Sequence, residues 1–312
     1  MTFFSVLLAL IAEQLRALSP RNPVATLLRQ HAIDVDHRFE AGRSRHDVLA
    51  WLAVVLPWTL VTALVYFLFL KVSIVLAFAF NVLVLYFTLG FRQFSHYFTD
   101  IHLALGNDDV GGAREVLRQW SGIDTVDMPV SEIVRHTLVH AVIESHRYVF
   151  GVFFWFLIPI GPAGAVLYRV AEQLARRAET PFDIGDGTLR PFALRAFHVI
   201  DWLPVRLTAL GFAIVGNFEE AIHAWRQTAH RWSDHNDEVL LAAGSGALGA
   251  RLASPRAEPI GADALGSPEA EPLPVGDECT PRTLQSAIGL VWRAVVLWMI
   301  LLLMLTAAVW VG

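Results

Sequence analysis

Between residues 49 and 89 the chain carries a single charge, Lys71, and is otherwise apolar apart from a few hydroxyl and amide groups. Built as one helix at 1.5 Å per residue, this stretch would be roughly 60 Å long, about twice the ~30 Å hydrocarbon core of a bilayer. It must therefore fold back, and the reversal belongs at Lys71-Val72-Ser73. Two spans are predicted, 49–70 and 73–90, with Pro57 as a kink in the first. A third is predicted over 289–311, where Trp292, Trp298 and Trp310 would sit near the interfaces. The whole composition agrees: 55% hydrophobic and 17% charged residues give a mean hydropathy of +0.49, more than a water-soluble core accounts for.

Several function classes fall away. The net charge of −5 is mild and Lys71 is the only lysine among the basic residues. No basic stripe marks a nucleic-acid footprint. One cysteine, Cys279, excludes an internal disulfide and a multi-thiolate metal site. Residues 1–18 contain Glu13 and Arg16 and lack a basic leader and a small-residue cleavage site, so they are read as retained.

Two more apolar stretches are irregular. The first, 149–168, contains Pro159, Gly161, Pro162 and Gly164, which break a helix and free backbone groups that lipid cannot satisfy. The second, 197–216, carries His198, Asp201 and Arg206 around Pro204. Each charge at mid-membrane costs about 2.5–3.5 kcal/mol, against roughly 0.3–0.6 gained per Leu or Ile, so this segment is not expected to face lipid.

Arginine placement points the same way. Arg21, Arg29, Arg38, Arg43 and Arg45 precede the hairpin; Arg92, Arg114, Arg118, Arg135 and Arg147 follow it; Arg176, Arg177, Arg190 and Arg195 occupy the 170–196 loop. By the positive-inside rule all three loops are cytoplasmic, which requires 149–168 and 197–216 to be broken or re-entrant. The expected fold is all-α: a polytopic helical membrane protein with broken or re-entrant helices and a cytoplasmic helical portion. Its regions are a membrane-associated helix and cytoplasmic segment (1–48), a transmembrane hairpin (49–90), a cytoplasmic helical region (91–148), broken membrane segments (149–241), a Gly/Ala/Pro/Ser-rich disordered linker (242–288) and a terminal span (289–312).

Three constellations are candidates for chemistry, each with a structural alternative: an ion-paired face, a network holding two broken helices together, and a simple turn. Glu132, His136, His140 and Glu144 recur every four residues and share one helix face. An ion-paired face explains them, and no metal site is assigned. In the second, His198 and Asp201 lie one turn apart and Arg206 is spaced to stack on Trp202. The third is Ser121-Gly122-Ile123-Asp124-Thr125, a turn into a helix with Thr125 or Asp127 as N-cap. No glycine-rich nucleotide loop is present.

The run Asp201-Trp202-Leu203-Pro204-Val205-Arg206-Leu207 resembles the D-W-[VI]-P-x-R-L signature shared by the AmpE and CobD/CbiB proteins. Glu13 in L-L-A-L-I-A-E-Q-L, Asn22-Pro23-Val24, Gly122-Ile123-Asp124-Thr125 and Ala141-Val142-Ile143-Glu144-Ser145 extend the likeness over most of residues 1–230 and the last span. CobD/CbiB proteins join cobyric acid to aminopropanol or its phosphate as an amide, using ATP. The resemblance implies Asp124, Glu144, Asp201 and Arg206 as catalytic candidates, with His198, Trp202 and Glu13 as candidate substrate contacts. ATP and Mg are implied only for a synthase. Two departures stand out. Ile123 replaces the arginine of G-R-D-T, and after Glu144-Ser145 the synthetases' A-E-N-x-x-D-G is missing, a shortening that AmpE shares. The first expectation is accordingly an AmpE-like inner-membrane sensor or accessory of cell-wall recycling and β-lactamase induction. Its partners would be the bilayer, an AmpD-like amidase or other envelope proteins, or a second copy of itself. The alternative is a CobD/CbiB-type synthase.

Overall fold

The computed structural model describes residues 2–16, 23–39, 47–158, 160–179, 189–231, 236–252 and 276–311. Arg21, Asn22, Arg43, Arg45, Pro159 and residues 253–275 of the expected 242–288 linker lie outside these residues, as do the side chains of Arg38, Arg190 and Trp310. In chain order the helices are α1 (Thr2–Leu15), α2 (Pro23–Phe39), α3 (Asp47–Val72), α4 (Ile74–Thr88), α5 (Phe91–Gly106), α6 (Val110–Ser121) and α7 (Val130–Ser145). A π-helical turn (His146–Phe150) leads into α8 (Gly151–Leu157), followed by α9 (Pro162–Glu179), α10 (Leu189–Val215), α11 (Phe218–Arg231), α12 (Asn236–Leu248) and α13 (Pro281–Val311). The fold is all-α; an isolated bridge joins Ala250 and Asp277. Three helices, Asp47–Val72, Phe192–Val215 and Pro281–Ala308, are long and apolar enough to cross a membrane, as a polytopic helical membrane protein requires.

The chain divides into two compact units, 1–98 with 143–208 and 295–312, and 99–142 with 209–294. The first unit holds the hairpin. Ser73 is extended (φ −161°, ψ 133°) and breaks the apolar run just after α3 ends at Val72; its hydroxyl accepts the Val75 N–H at 3.3 Å and caps α4. Asp47 in the first turn of α3 and Lys71 in its last complement the helix dipole. The helix runs on through Pro57. α1 packs on α4, and α9 packs on both α3 and α4. Leu60, Leu64 and Phe67 on α3 and Leu303, Met304 and Leu305 on α13 point outward, the apolar belt that a lipid solvent selects. Trp298, expected near an interface, is instead buried with its ring centroid 6.2 Å from that of Phe150.

The stretch 149–168 is broken as expected, between α8 and α9. The stretch 197–216 is not: α10 continues for 27 residues with Pro204 inside it, and Val199, Leu203 and Ile214 point outward. Pro204 cannot bond the Ile200 carbonyl, but the Trp155 indole N–H donates to it at 3.3 Å. The charges that appeared too costly are also satisfied. Asp201 is hydrogen-bonded twice, and Arg206 donates to the Trp202 carbonyl at 2.8 Å while stacking 3.9 Å above its ring. Insertion costs reckoned for unpaired charges therefore overstate the penalty here.

In the second unit, α11 and α12 form a tight pair. The sequence Ala242-Ala243-Gly244-Ser245-Gly246, expected to start a disordered linker, is helical. Its small residues serve close approach: a Cβ on Gly246 would lie 2.4 Å from the Glu220 carbonyl oxygen and 2.5 Å from the Ala221 nitrogen. Gly246→Ala is expected to cost about 1–3 kcal/mol, read as a lower thermal midpoint of the purified chain, because backbone rather than a flexible side chain blocks the added methyl. At the other end, α13 begins at Pro281, ahead of residue 289.

Candidate functional site

At Ser145, α7 passes into the π-helical turn, an arrangement that inserts one residue into the helical ladder and recurs at functional sites. The turn buries both His146 and Arg147. His146 Nε2 lies 2.8 Å from Asp201 Oδ1, and Nδ1 lies 2.9 Å from Thr208 Oγ1. The Tyr168 hydroxyl donates to the same Asp201 oxygen at 2.9 Å, and Thr208 donates to the Pro204 carbonyl at 3.0 Å. Tyr168 passes so close to α8 that a Cβ on Gly151 would lie 2.2 Å from its hydroxyl. The π turn, α9 and α10 are thus joined by one buried polar network around Pro204. Asp201 is only 1% exposed, so it acts through His146 and Tyr168.

A second cluster adjoins it along the chain. Glu172, 1% exposed, accepts from Arg169 Nη1 and Arg176 Nε, each at 2.9 Å. Arg176 Nη1 donates to Glu144 Oε1 at 3.0 Å. The Tyr148 ring lies 4.0 Å from the Arg169 guanidinium and 5.4 Å from that of Arg176. Burial alone would push the Glu172 carboxyl up; the guanidinium groups of Arg176, Arg169 and Arg147 outweigh it and hold it at about 2. Glu13 is the contrasting case. Burial pushes its carboxyl up to about 6, although Oε1 accepts the Arg92 backbone N–H at 2.9 Å and the cations of Arg169 and Arg92 pull it down. Oε2 has no hydrogen-bond partner among the described residues.

Of the seven residues singled out from the sequence, Glu13, Glu144 and Asp201 belong to these buried groups of the first unit. Trp202 and Arg206 stack on each other on the outward side of α10, as their spacing predicted. His198 is half-buried one turn before Asp201. Asp124 is exposed in the second unit, where its carboxylate accepts the Val126 N–H at 3.2 Å. Thr125, expected as a helix cap, instead donates to the Arg114 carbonyl at 3.0 Å, and α7 starts at Val130. Along α7, Glu132 pairs with Arg135 at 2.6 Å and the His140 ring centroid lies 5.4 Å from that of Trp120. Sequence reasoning missed His146, Tyr148, Tyr168, Arg169, Glu172, Arg176 and Thr208. The Glu172 to Arg176 spacing of four was a visible signal, but Arg176 was read only as loop charge.

The fold and these clusters define an α-helical membrane protein with a buried arginine–carboxylate centre. The chain belongs to the CobD/CbiB family: the model described as "CobD/Cbib protein" matches residues 6–291. It is 28% identical over 311 residues to the cobalamin biosynthesis protein CobD of Stutzerimonas stutzeri (strain A1501), covering 96% of this chain and 97% of that protein. It is 31% identical over 236 residues to the protein of the same name from Chromobacterium violaceum, covering 74% and 71%. The likeness to protein AmpE of Shigella flexneri is 28% over 86 residues, covering 26% of this chain and 29% of that protein. No solved structure matches the chain.

Proposed function

We propose that this chain is a cobalamin-biosynthesis synthase of the CobD/CbiB type in the bacterial inner membrane, joining cobyric acid to aminopropanol or its phosphate as an amide while consuming ATP. The observation that carries this reading is the likeness to a cobalamin biosynthesis protein along 96% of the chain. It reverses the order of expectations drawn from the sequence, because the AmpE likeness extends over 86 residues only. Glu144, whose side chain is 11% exposed at the edge of the arginine cluster, is the carboxylate in reach of a substrate. Asp201 is a positioning residue: through His146 and Tyr168 it holds the π turn and α9 against α10. The AmpE-like role, an accessory of cell-wall recycling, remains the second reading, favoured by the missing A-E-N-x-x-D-G.

Complementation separates the two. In a bacterium deleted for its cobinamide-phosphate synthase and grown under cobalamin-dependent conditions, the wild-type chain is expected to restore growth. Asp201→Asn, which keeps an acceptor oxygen but removes the charge, is expected to lose the rescue at equal membrane abundance. Absence of rescue by the wild type would remove the synthase reading and leave the accessory role.

A further inference from the structure

The end of α1 and the start of α5 hold each other by complementary groups. The last carbonyls of a helix and the first N–H groups of another have no partners inside their own helices. Glu13 Oε1 accepts the Arg92 N–H at 2.9 Å in the first turn of α5, where the helix dipole favours negative charge. In return, Arg92 Nη1 donates to the Gln14 carbonyl at 2.5 Å in the last turn of α1. The Tyr86 hydroxyl of α4 donates to the Arg16 carbonyl at 2.9 Å, just past the end of α1. Ser5, Val6, Ala9 and Glu13 form the buried face of α1, which packs on α4.

This clasp serves only half of the Glu13 carboxylate. The residue is 1% exposed, and Oε2 meets no donor among the described residues. Glu172 and Asp201 are buried as deeply, but the first is held by guanidinium groups and the second by His146 and Tyr168. A buried carboxylate oxygen without a donor is costly while the group is ionised, and the cost falls once it carries a proton. The charges around Glu13 are Arg92 of α5 and Arg169 of α9; the buried face of α4 brings Asn81 and Thr88 and no charge. Burial outweighs both cations, which is why the carboxyl stands at about 6 rather than 4.5. We propose that Glu13 is a proton-operated clasp: it takes up a proton as the end of α1 seats against α4 and α5 and returns it to water as that end lifts, so that acid tightens the contact. The seated carboxyl holds its proton more firmly than the free one, so the stabilisation is fully present below pH 4.5 and is lost as pH rises through about 6. Seating is then roughly eightfold more favourable at pH 5 than at pH 8. Arg169 carries the effect to the neighbouring centre: the guanidinium that draws on Glu13 also donates to Glu172 at 2.9 Å and lies 4.0 Å from the Tyr148 ring. The clasp stands apart from the synthase reading, and its test uses no substrate.

The test is hydrogen–deuterium exchange of the purified full-length chain in lipid nanodiscs at pH 5, 6, 7 and 8. Mass spectrometry reads peptides covering residues 10–16 and 91–97, with each rate corrected for the intrinsic pH dependence of amide exchange. In the wild type, protection of both peptides should fall together, roughly eightfold from pH 5 to pH 8, with most of the loss below pH 7. Glu13→Gln keeps an oxygen for the Arg92 N–H and cannot ionise, so its profile should be flat. Glu13→Ala removes that oxygen; its profile should be flat too, with lower protection than Glu13→Gln at every pH. His96→Gln, exposed on α5 one turn beyond Arg92, and Glu115→Gln, exposed in the second unit, should keep the wild-type profile. If Glu13→Ala fails to fold, Glu13→Gln carries the comparison. A flat or rising wild-type profile, a dependence that persists in Glu13→Gln, or one lost equally in His96→Gln overturns the proposal. A flat wild-type profile beside successful complementation would discard the clasp and leave the synthase reading intact.

Discussion

Glu172→Ala is expected to destabilise the first unit by about 3–5 kcal/mol, the usual cost of removing one partner from a buried ion pair. The reason is the asymmetry of what remains. Arg169 is mostly buried and its guanidinium meets the carboxylate at 2.9 Å; with Glu172 gone, Arg147, Arg169 and Arg176 repel one another without a shared anion. Exposed pairs such as Glu115–Arg118 should show the contrast, because water and salt screen them. The same group sets an acid limit. Its folded pKa, about 2, lies below the model-compound value of 4.5, so its contribution is fully present above pH 4.5 and is lost as pH falls from there through about 2. That contribution is of order 3 kcal/mol. Denaturation of the detergent-purified chain between pH 7 and pH 3, with and without the substitution, checks both statements. The wild type should lose stability across that interval, and Glu172→Ala should start low and fall less.

The second large effect concerns activity. Glu144→Gln keeps an oxygen for Arg176 Nη1, and Arg176 keeps its 2.9 Å bond to Glu172, so the fold should survive with little change in thermal midpoint. On the synthase reading, this change removes the carboxylate charge that substrate would meet. If the carboxylate takes up or delivers a proton during amide formation, the rate should drop about 10²-fold or more. Loss of rate with the midpoint preserved is the signature of a residue that acts on substrate; Asp201→Asn should disturb both, since its partners are buried groups of the scaffold.

How much of this was legible in the sequence follows from the range of each signal. The reversal was readable because a run of that length with Lys71 as its one charge cannot cross a bilayer straight, and Ser73 breaks it at the expected place; α4, at 15 residues, is shorter than the span expected over 73–90. The break near Gly161 was readable for the same local reason. α10 was misread because its charges were reckoned as unpaired, and their partners come from elsewhere: Trp155 is 45 residues from Ile200 and His146 is 55 residues from Asp201. α12 was misread because glycine and alanine have two meanings. They mark a loose tether when nothing packs on them, and a close helix seam when a neighbour such as α11 does. The site was half visible. Glu13, Glu144 and Asp201 carried a family likeness, whereas Arg147 and Arg176, beside Glu172, were counted only as charges fixing the side of the membrane, and Arg169 was not singled out.

The central claim is that this buried arginine–carboxylate centre serves an amide-forming reaction of cobalamin assembly. Its most direct test is mass spectrometry of a reaction containing the purified chain in nanodiscs, cobyric acid, aminopropanol or its phosphate, and ATP. The account predicts an ATP-dependent product at the mass of the condensed amide, lost in Glu144→Gln. A folded, lipid-inserted wild-type chain that forms no such product with either amine would contradict it.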